Sequence, residues 1–357
     1  MKRCTKCLMP ETAPNIEFND DGVCLACQRA ENKIDRESRL NELDIICKAY
    51  RKNDNNYDCI IPVSGGKDSF FQVYWMKIKM GMNPLLVSVT DEWEHTKAGI
   101  HNNHRICEAF RCDCITLRLN PQMVKETTRW GFEETGSTNW AVDSAIYAWP
   151  LQMAIKLGIK LVVYGENVAW EYGHKIGVDT YSAKEQIKNT VVNIDCIPPI
   201  WGNEKNCIKY PAPEEIDGID SIYLSYFTGW DGTENLKIAK EYGFRTLEYE
   251  WDRAGYIDDF WQIDSVGYLC NYYLKYAKYG YSKATDVASH LIRYGHIARD
   301  KAIEIVRKKE GQIDKKVVDD FIRFTGYNLT EFNIILEKWF NKELFNEKRT
   351  LKNEHKL

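Results

Sequence analysis

Several features that define common protein classes are absent from this sequence. No apolar run approaches the roughly 20 residues of a membrane-spanning helix. The opening residues, Met1-Lys2-Arg3-Cys4, are not followed by an apolar segment, so no secretory signal is expected. The formal net charge of −4 also argues against a nucleic-acid partner, since such proteins usually carry basic surfaces. These absences predict a cytoplasmic protein with no membrane partner, for which nucleic acid is an unfavoured ligand.

Internal repeats and low-complexity segments are also missing. The 357 residues are 44% hydrophobic and 28% charged, which suits a soluble globular protein of about two domains. The chain contains 12 cysteines. In a reducing cytoplasm these are expected to be free thiols or metal ligands rather than disulfides.

A glycine-rich loop directly follows the apolar run 59–63. This glycine loop consists of Ser64, Gly65, Gly66, Lys67, Asp68 and Ser69. Adjacent glycines let the backbone turn sharply and let a ligand approach it closely. The run that follows is typical of a helix, whose free N–H groups suit an anion. Because the Gly-x-x-x-x-Gly-Lys-Ser/Thr spacing of the Walker motif is missing, the pattern predicts a phosphate-binding loop of another type. An ordinary glycine turn is the alternative.

Two Cys-x-x-Cys pairs lie near the N-terminus, Cys4 with Cys7 and Cys24 with Cys27. The 16 residues between the pairs match the spacing of a four-cysteine zinc site. The turn-forming run 19–22 is expected to bring the pairs together as a hairpin. We predict a closed, structural zinc site, with free or redox-active thiols or an iron–sulfur cluster as the alternatives.

From residue 57 the chain alternates between strand-like and helix-like segments. The predicted strands are 57–63, 84–90, 114–119, 160–164 and 245–251, and the predicted helices include 69–80, 96–110, 139–157 and 233–242. This alternation predicts an α/β fold with a parallel, doubly wound sheet. Ligands bind such sheets beyond the carboxyl ends of the strands. The glycine loop, Asp91 and the run 165–167 are therefore expected to share one edge.

The same patterns predict the domain organisation. We expect a zinc-binding module at 1–35, a linker helix at 36–56, the α/β domain at 57–255, a mostly helical region at 256–341 and a charged, mobile tail at 342–357. Residues 170–230 show little periodicity and contain Pro198-Pro199, Pro211 and Pro213. This stretch is predicted to be a functional insertion in the α/β domain.

The glycine loop resembles the pyrophosphate-binding loop of the ATP pyrophosphatase (PP-loop) superfamily, whose members cleave ATP between the α and β phosphates. Three further phrases make the chain similar to the N-acetyl sugar amidotransferase family: Cys4-x-x-Cys7-Leu8-Met9-Pro10-Glu11-Thr12, Gly22-Val23-Cys24-x-x-Cys27 and Gly229-Trp230-Asp231-Gly232. The resemblance extends over nearly the whole chain. It implies a sheet of the PP-loop (adenine nucleotide alpha hydrolase-like) type. It also implies conversion of a sugar acetamido group into an acetamidino group, for bacterial O-antigen, pseudaminic acid or legionaminic acid synthesis.

The implied reaction consumes ATP and ammonia. The amide oxygen attacks the α-phosphorus, pyrophosphate leaves, and ammonia then displaces AMP from the activated carbon. The resemblance implies that the glycine loop, with Gly165 at the same edge, holds the nucleotide and that Lys67 stabilises charge. A solvated surface lysine is the alternative for Lys67. Asp68 or an acid such as Glu166 is the expected Mg²⁺ ligand.

Other site assignments have structural alternatives. Asp91 is predicted to face ribose or a metal, or else to cap a helix. Glu166 and Asn167 are the predicted residues for adenylation or ammonia handling, or else they cap the following helix. Lys175 and Asp231 are predicted to face the sugar.

The chain shows no cysteine placed as a glutaminase nucleophile. It opens with Met1, and neither Cys196 nor Cys207 lies in a Gly-x-Cys-x-Gly elbow. The resemblance therefore implies a separate glutaminase subunit as the ammonia donor, with a cyclase-like barrel subunit as a further partner. Free ammonium is the alternative source.

The main competing hypothesis is a PP-loop tRNA thiolation enzyme. Cys112 and Cys114, with Cys196 or Cys207, would have to supply its reactive or cluster-binding thiols. Against this hypothesis, Cys114 begins a predicted strand and is expected in the core, and no Cys-x-x-Cys pair occurs in that region. The acidic chain also suits a nucleic-acid backbone poorly.

Overall fold

The fold is built on one five-stranded parallel sheet. The computed structural model describes residues 1–32, 34–52, 54, 56–174, 179–184 and 208–357. The strand order is β3-β2-β1-β4-β5. The strands are β1 Cys59–Pro62, β2 Pro84–Thr90, β3 Cys114–Arg118, β4 Leu161–Tyr164 and β5 Asp220–Tyr223. The predicted α/β fold with a parallel sheet is confirmed.

Helices cover both faces of the sheet. In the first two-thirds of the chain they are Leu25–Glu31, Arg36–Tyr50, Lys67–Val73, Lys97–Phe110, Pro121–Trp130, Trp140–Leu157, Val168–Glu171, Leu224–Thr228 and Gly232–Glu241. Because alternate strand residues point to opposite faces, Ile61 packs with Phe70 in one core. Ile60, its neighbour, packs with Leu151 in the core on the other face.

Two helices continue as π-helical turns. Tyr74–Lys79 extends the helix that follows the glycine loop, and Gly131–Thr135 extends the helix Pro121–Trp130. Pro150 lies inside Trp140–Leu157, where a proline usually kinks or splits a helix, yet this helix is one continuous element. A proline cannot donate a hydrogen bond to the carbonyl of the residue four positions earlier. Here that residue is Ile146, which faces a cavity and is partly exposed, so solvent can satisfy its carbonyl.

One strand assignment from the sequence is wrong. Residues 245–251 alternate like a strand, but they form turns, and Tyr249 is 95% exposed. The fifth strand is instead β5, within the stretch 170–230 that the sequence suggested was an insertion. β5 pairs with β4 through Val162 and Ser221. Four residues are too few to show the periodicity on which sequence patterns depend.

The C-terminal third is helical, as predicted. Its elements are the 3₁₀ turn Gly267–Cys270, the helices Asn271–Tyr279, Lys283–Arg293, Arg299–Lys309, Lys315–Thr325 and Leu329–Lys338, and the 3₁₀ turn Asn353–His355. Among the described residues, no helix combines the length and apolar character needed to cross a bilayer.

The tail 342–357 was predicted to be mobile, but it packs against the protein. Leu344 and Phe345 are buried, and Phe345 bridges to Leu351. The Met1 ammonium lies 3.0 Å from Nδ1 of His355. These contacts join the two chain ends, which the charged composition of the tail did not suggest.

Candidate active site

The glycine loop is held in one tight conformation at the carboxyl end of β1. The Ser64 N–H donates to Ser69 Oγ at 3.0 Å, and the Gly66 N–H donates to Ser64 Oγ at 3.2 Å. Gly65 has a φ of +80°, and a Cβ there would lie 2.5 Å from Oδ1 of Asn103. Only glycine therefore fits this turn without strain or displacement of Asn103.

Lys67, which is buried, and Asp68, which is half-buried, form an ion pair at the end of the loop. The Lys67 Nζ lies 2.6 Å from Asp68 Oδ2 and 4.4 Å from the centre of the Trp261 ring. Lys67 is 1% exposed, which excludes the alternative of a solvated surface lysine. The other carboxylate oxygen of Asp68 accepts from Asn235 Nδ2 at 2.8 Å. The loop thus presents fixed charges of both signs.

Glu166 and Asn167 lie at the end of β4, next to the glycine loop. The strand order reverses between β1 and β4, and this is where open α/β sheets bind ligands. Burial raises the pKa of Glu166, and the Asp68 charge raises it further. Asn167 caps the short helix after β4, since its Oδ1 accepts from the Trp170 N–H at 3.2 Å. Both residues line the cavity, and Asn167 also caps the helix.

Asp91 follows β2 at the same edge. Its Oδ2 accepts from Ser265 Oγ at 2.7 Å, and its Oδ1 accepts from the Trp93 N–H at 3.1 Å. His95 Nε2 lies 3.6 Å from Oδ1. Burial raises the pKa of Asp91. Asp91 therefore ties the sheet edge to the C-terminal region as well as lining the cavity.

A cavity of about 1490 Å³ joins these residues. The C-terminal region forms much of its wall, which sequence reasoning missed. The lining residues from that region include Trp261, Asp264, Tyr268, Lys283, Asp286 and His290. The last three have helical spacing i, i+3 and i+7, which places them on one face of Lys283–Arg293, hereafter the cavity helix. This helical spacing of polar residues is the sequence signal that could have identified them as part of the site.

Two acids in the cavity wall have strongly raised pKa values. Burial raises the pKa of Asp143 to about 7, although its Oδ1 accepts from the Tyr268 hydroxyl at 2.9 Å. Burial, with the neighbouring Asp91 charge, raises the pKa of Asp264 to about 7. Both carboxyls thus exchange protons near neutral pH, which suits groups that handle protons during a reaction.

The two predicted sugar-facing residues are differently placed. Lys175 lies outside the described residues. Asp231 caps the helix Gly232–Glu241, because its Oδ1 accepts from the Thr233 N–H at 2.9 Å. Its Oδ2 lies 2.7 Å from Nε2 of His296. Asp231 is absent from the described cavity wall, although its neighbours Trp230 and Gly232 line it.

The four N-terminal cysteines converge, as predicted. The Sγ–Sγ distances are 3.9 Å for Cys4–Cys27 and 3.7 Å for Cys7–Cys24. All four sulfurs lie within 4.8 Å of one another and all four residues are buried. Tetrahedral zinc with Zn–S bonds of about 2.3 Å places sulfurs about 3.8 Å apart. The cluster therefore fits zinc.

The cysteine module packs on two parts of the cavity wall. Arg29 donates to the carbonyls of Ala169, Trp170 and His174 at 2.9 to 3.0 Å. On the other side, the Leu8 N–H donates to Oγ of Ser289 on the cavity helix at 3.2 Å. The module thus links the segment after β4 to the cavity helix.

The remaining cysteines do not form a metal cluster in the described part of the chain. Cys112 is buried, whereas Cys114 is exposed on β3, so its predicted place in the core is wrong. As the sheet ends at β3, one side of Cys114 has no neighbouring strand. Cys107 and Cys114 both line the cavity. Cys196 and Cys207 lie outside the described residues.

Comparison with known proteins gives one family match. The model for "LPS biosynthesis protein WbpG-like, C-terminal domain" matches residues 248–357. This match supports the resemblance to the N-acetyl sugar amidotransferase family. The matched region is also the one that supplies Trp261, Asp264 and Lys283 to the cavity.

The other similarities are more distant. An uncharacterised protein of Methanocaldococcus jannaschii is 22% identical over 217 residues, covering 60% of this chain and 73% of that protein. NMN synthetase from Francisella tularensis is 10% identical, with a TM-score of 0.35, covering 82% of this chain and 94% of its own. A 4-thiouridine synthetase in an RNA complex with bound ATP is 15% identical, with a TM-score of 0.30, covering 52% and 41%. These structural scores carry no argument about function.

Proposed function

We propose that this protein is an ATP-dependent, AMP-forming amidotransferase that converts the acetamido group of a sugar into an acetamidino group. The observation that carries the proposal is the glycine loop, which lies at the strand-order reversal and opens into the same cavity as Glu166. The family match at 248–357, described by its role in LPS biosynthesis, supports a glycan substrate.

The proposed chemistry has two steps. The amide oxygen attacks the α-phosphorus of ATP, forming a P–O bond while the bond to pyrophosphate breaks. Ammonia then adds to the imidate carbon, loses its extra protons, and AMP leaves with the original amide oxygen. The main demand on the protein is to stabilise charge on phosphoryl oxygens, which suits preorganised N–H groups and Lys67.

The acids in the cavity have distinct proposed roles. Asp68 and Glu166 would hold Mg²⁺, since carboxylate oxygens are its preferred protein ligands and the two charges influence each other. When bound, Mg²⁺ neutralises charge on the phosphates. Asp143 and Asp264, with pKa values of about 7, are placed to accept the protons that ammonia loses.

The proposed ammonia donor is a separate glutaminase subunit, alone or with a cyclase-like barrel subunit. The thiols described in the cavity, Cys107 and Cys114, lie on a helix and on an outer strand rather than in a nucleophile elbow. Free ammonium should therefore replace the partner in vitro at high concentration.

A second candidate is tRNA thiolation, which the presence of Cys107 and Cys114 in the cavity favours. Hydrogen bonding to Cys107 lowers the pKa of Cys114 to about 7, which increases its reactive thiolate fraction. The net charge of −4 opposes this candidate, because an RNA backbone requires a basic surface.

One experiment separates these candidates. Purified protein is incubated with Mg-ATP, excess ammonium and a panel of UDP-linked diacetamido sugars and nonulosonic acids, and AMP, pyrophosphate and sugar masses are followed. The expected result is AMP formation with a sugar product in which NH replaces O. AMP formation only with unmodified tRNA and a sulfur donor would overturn amidine synthesis and support thiolation.

A further inference from the structure

Lys283, the first residue of the cavity helix, is a buried cation without an anionic partner. It is 6% exposed and lines the same cavity as the glycine loop. Among the described residues, its ammonium makes no hydrogen bond or ion pair, and the centre of the Tyr272 ring lies 5.5 Å from Nζ. Buried charges in proteins are normally paired, because an isolated one loses its hydration without compensation.

Three acids act electrostatically on Lys283: Glu166, which forms no direct ion pair with it, and Asp286 and Asp258, which are bound to other cations. Asp286 Oδ2 lies 2.6 Å from the Lys275 ammonium. Asp258 Oδ1 lies 3.2 Å from Arg253 and also accepts from the Trp261 N–H at 2.7 Å. These carboxylates act on Lys283 only at longer range. An ammonium held in this way can bind an anion from the cavity.

The location of Lys283 indicates which kind of anion it can bind. Burial lowers its pKa, and the Lys67 charge in the glycine loop contributes in the same direction. The two ammonium groups thus lie near enough to repel each other. Trp261, which packs on Lys67, also contacts His290 of the cavity helix, with ring centres 5.3 Å apart. An anion that touched both lysines would have to carry several negative charges.

We infer that Lys283 binds a diphosphate group in the cavity that it shares with Lys67 of the glycine loop. A diphosphate is long enough to contact two elements and carries several negative charges. Two ligands of the proposed reaction contain one, the polyphosphate tail of ATP and the carrier of a nucleotide-linked sugar. The inference rests on the proposed function for these ligands, but its test requires no turnover.

The test is direct binding to the full-length protein by isothermal titration calorimetry. The ligands are α,β-methylene-ATP, inorganic pyrophosphate, AMP, UDP and UMP, each with Mg²⁺. The variants are Lys283→Met, which keeps the apolar stem, Lys283→Arg, which keeps the charge, and Lys278→Met as matched control. Lys278 lies in the neighbouring helix Asn271–Tyr279, donates to the Gly136 carbonyl at 2.6 Å and is not among the cavity-lining residues.

We expect Lys283→Met to weaken α,β-methylene-ATP and pyrophosphate binding at least tenfold and to leave AMP binding unchanged. Lys283→Arg should restore part of the loss, and Lys278→Met should have no effect. A loss confined to UDP, with UMP unchanged, would assign the diphosphate to the sugar carrier.

The inference is overturned if Lys283→Met binds every diphosphate as the wild type does, or if the wild type binds neither pyrophosphate nor UDP. Folding of each variant is checked by its thermal midpoint. Because Lys283→Met removes an unpaired buried charge, its midpoint should not fall, and pyrophosphate should raise the midpoint of the wild type and of the control variant but not that of Lys283→Met. Failure of the sugar assay with normal pyrophosphate binding would reject the proposed function but not this inference.

Discussion

Two lysines reach the cavity from distant parts of the chain, and they differ in what balances their charge. Lys67, in the glycine loop, is 1% exposed and lies 2.6 Å from the carboxylate of Asp68. Lys283, on the cavity helix, is 6% exposed and has no anionic partner among the described residues. Both are cations removed from bulk water, but only the first has a neutralising neighbour.

Because of this difference, the charge of Lys67 is balanced within the protein, whereas the charge of Lys283 would be balanced only by a ligand. The partner of Lys67 is the next residue in the chain, so its ion pair forms wherever the loop folds. Lys283 lacks such a local partner, and its surroundings arise from the packing of the cavity helix against the sheet domain. The loop is thus ordered by its own contacts, whereas Lys283 would gain its charge balance only from the diphosphate proposed above.

The largest effect is expected from Asp68→Asn, which leaves Lys67 unpaired and so makes it resemble Lys283. AMP formation should fall by about a hundredfold or more, because the amide is a much weaker Mg²⁺ ligand than the proposed carboxylate, while the fold is kept. Ser64→Ala, which removes the acceptor of the Gly66 N–H, should act in the same direction.

The matched control for Asp68→Asn is Asp319→Asn, which breaks an exposed pair with Lys315 and should leave AMP formation unchanged. AMP and pyrophosphate are measured together for each variant. Undiminished pyrophosphate release in both loop variants would reject the assignment of the glycine loop.

A smaller effect is expected from Cys4→Ser, which disturbs the cysteine module that contacts the cavity helix. Loss of one thiolate should release zinc, and several kcal/mol of stability with it, which lowers the thermal midpoint by roughly 10 °C. Because the module contacts Ser289 of the cavity helix, diphosphate binding should weaken as well. Zinc content per chain and thermal midpoint are the measurements.

Cys114→Ser is the control for this prediction, since Cys114 is an exposed thiol outside the four-cysteine cluster. This variant should keep the zinc content and the thermal midpoint of the wild type. An unchanged zinc content in Cys4→Ser would show that the ligand set is wrong.

The smallest effect is expected from Gly65→Ala in the glycine loop, with Gly158→Ala as its control. Gly65→Ala and Gly158→Ala both place a side chain at positive φ, which costs about 1–2 kcal/mol. At Gly65 the new Cβ would also meet Asn103, whereas nothing lies within 4 Å at Gly158. ATP binding should therefore weaken about tenfold only in Gly65→Ala, as measured by titration. Equal ATP affinities in the two variants would contradict the tight-turn argument.

Prediction from the sequence succeeded where the signal was local and long. Strand β2, Pro84–Thr90, was predicted to the residue, because seven largely apolar positions follow a turn. β5 was missed because its four residues lie in a stretch without periodicity. The false strand 245–251 shows that alternation alone is insufficient, since Tyr249 alternates correctly and yet is fully in solvent.

In the candidate site, too, residues with a local sequence signal were predicted and residues without one were not. The glycine loop and the convergence of Cys4 and Cys27 were predicted, because motif and spacing define them. Asp143 and Asp264 were not predicted, because single acids in a helix and a loop carry no motif. Their raised pKa values arise from burial, which depends on residues distant in the chain.

The sequence by itself determined the parallel α/β fold, the glycine loop and the cysteine cluster, since each depends on residues close together in the chain. Only the tertiary structure decided that the C-terminal region contributes to the cavity wall, that Asn167 caps the helix after β4, and that Lys283 is buried without an anionic partner among the described residues. The physical reason is that desolvation and charge pairing depend on what packs against a side chain, and those neighbours are brought together only by folding.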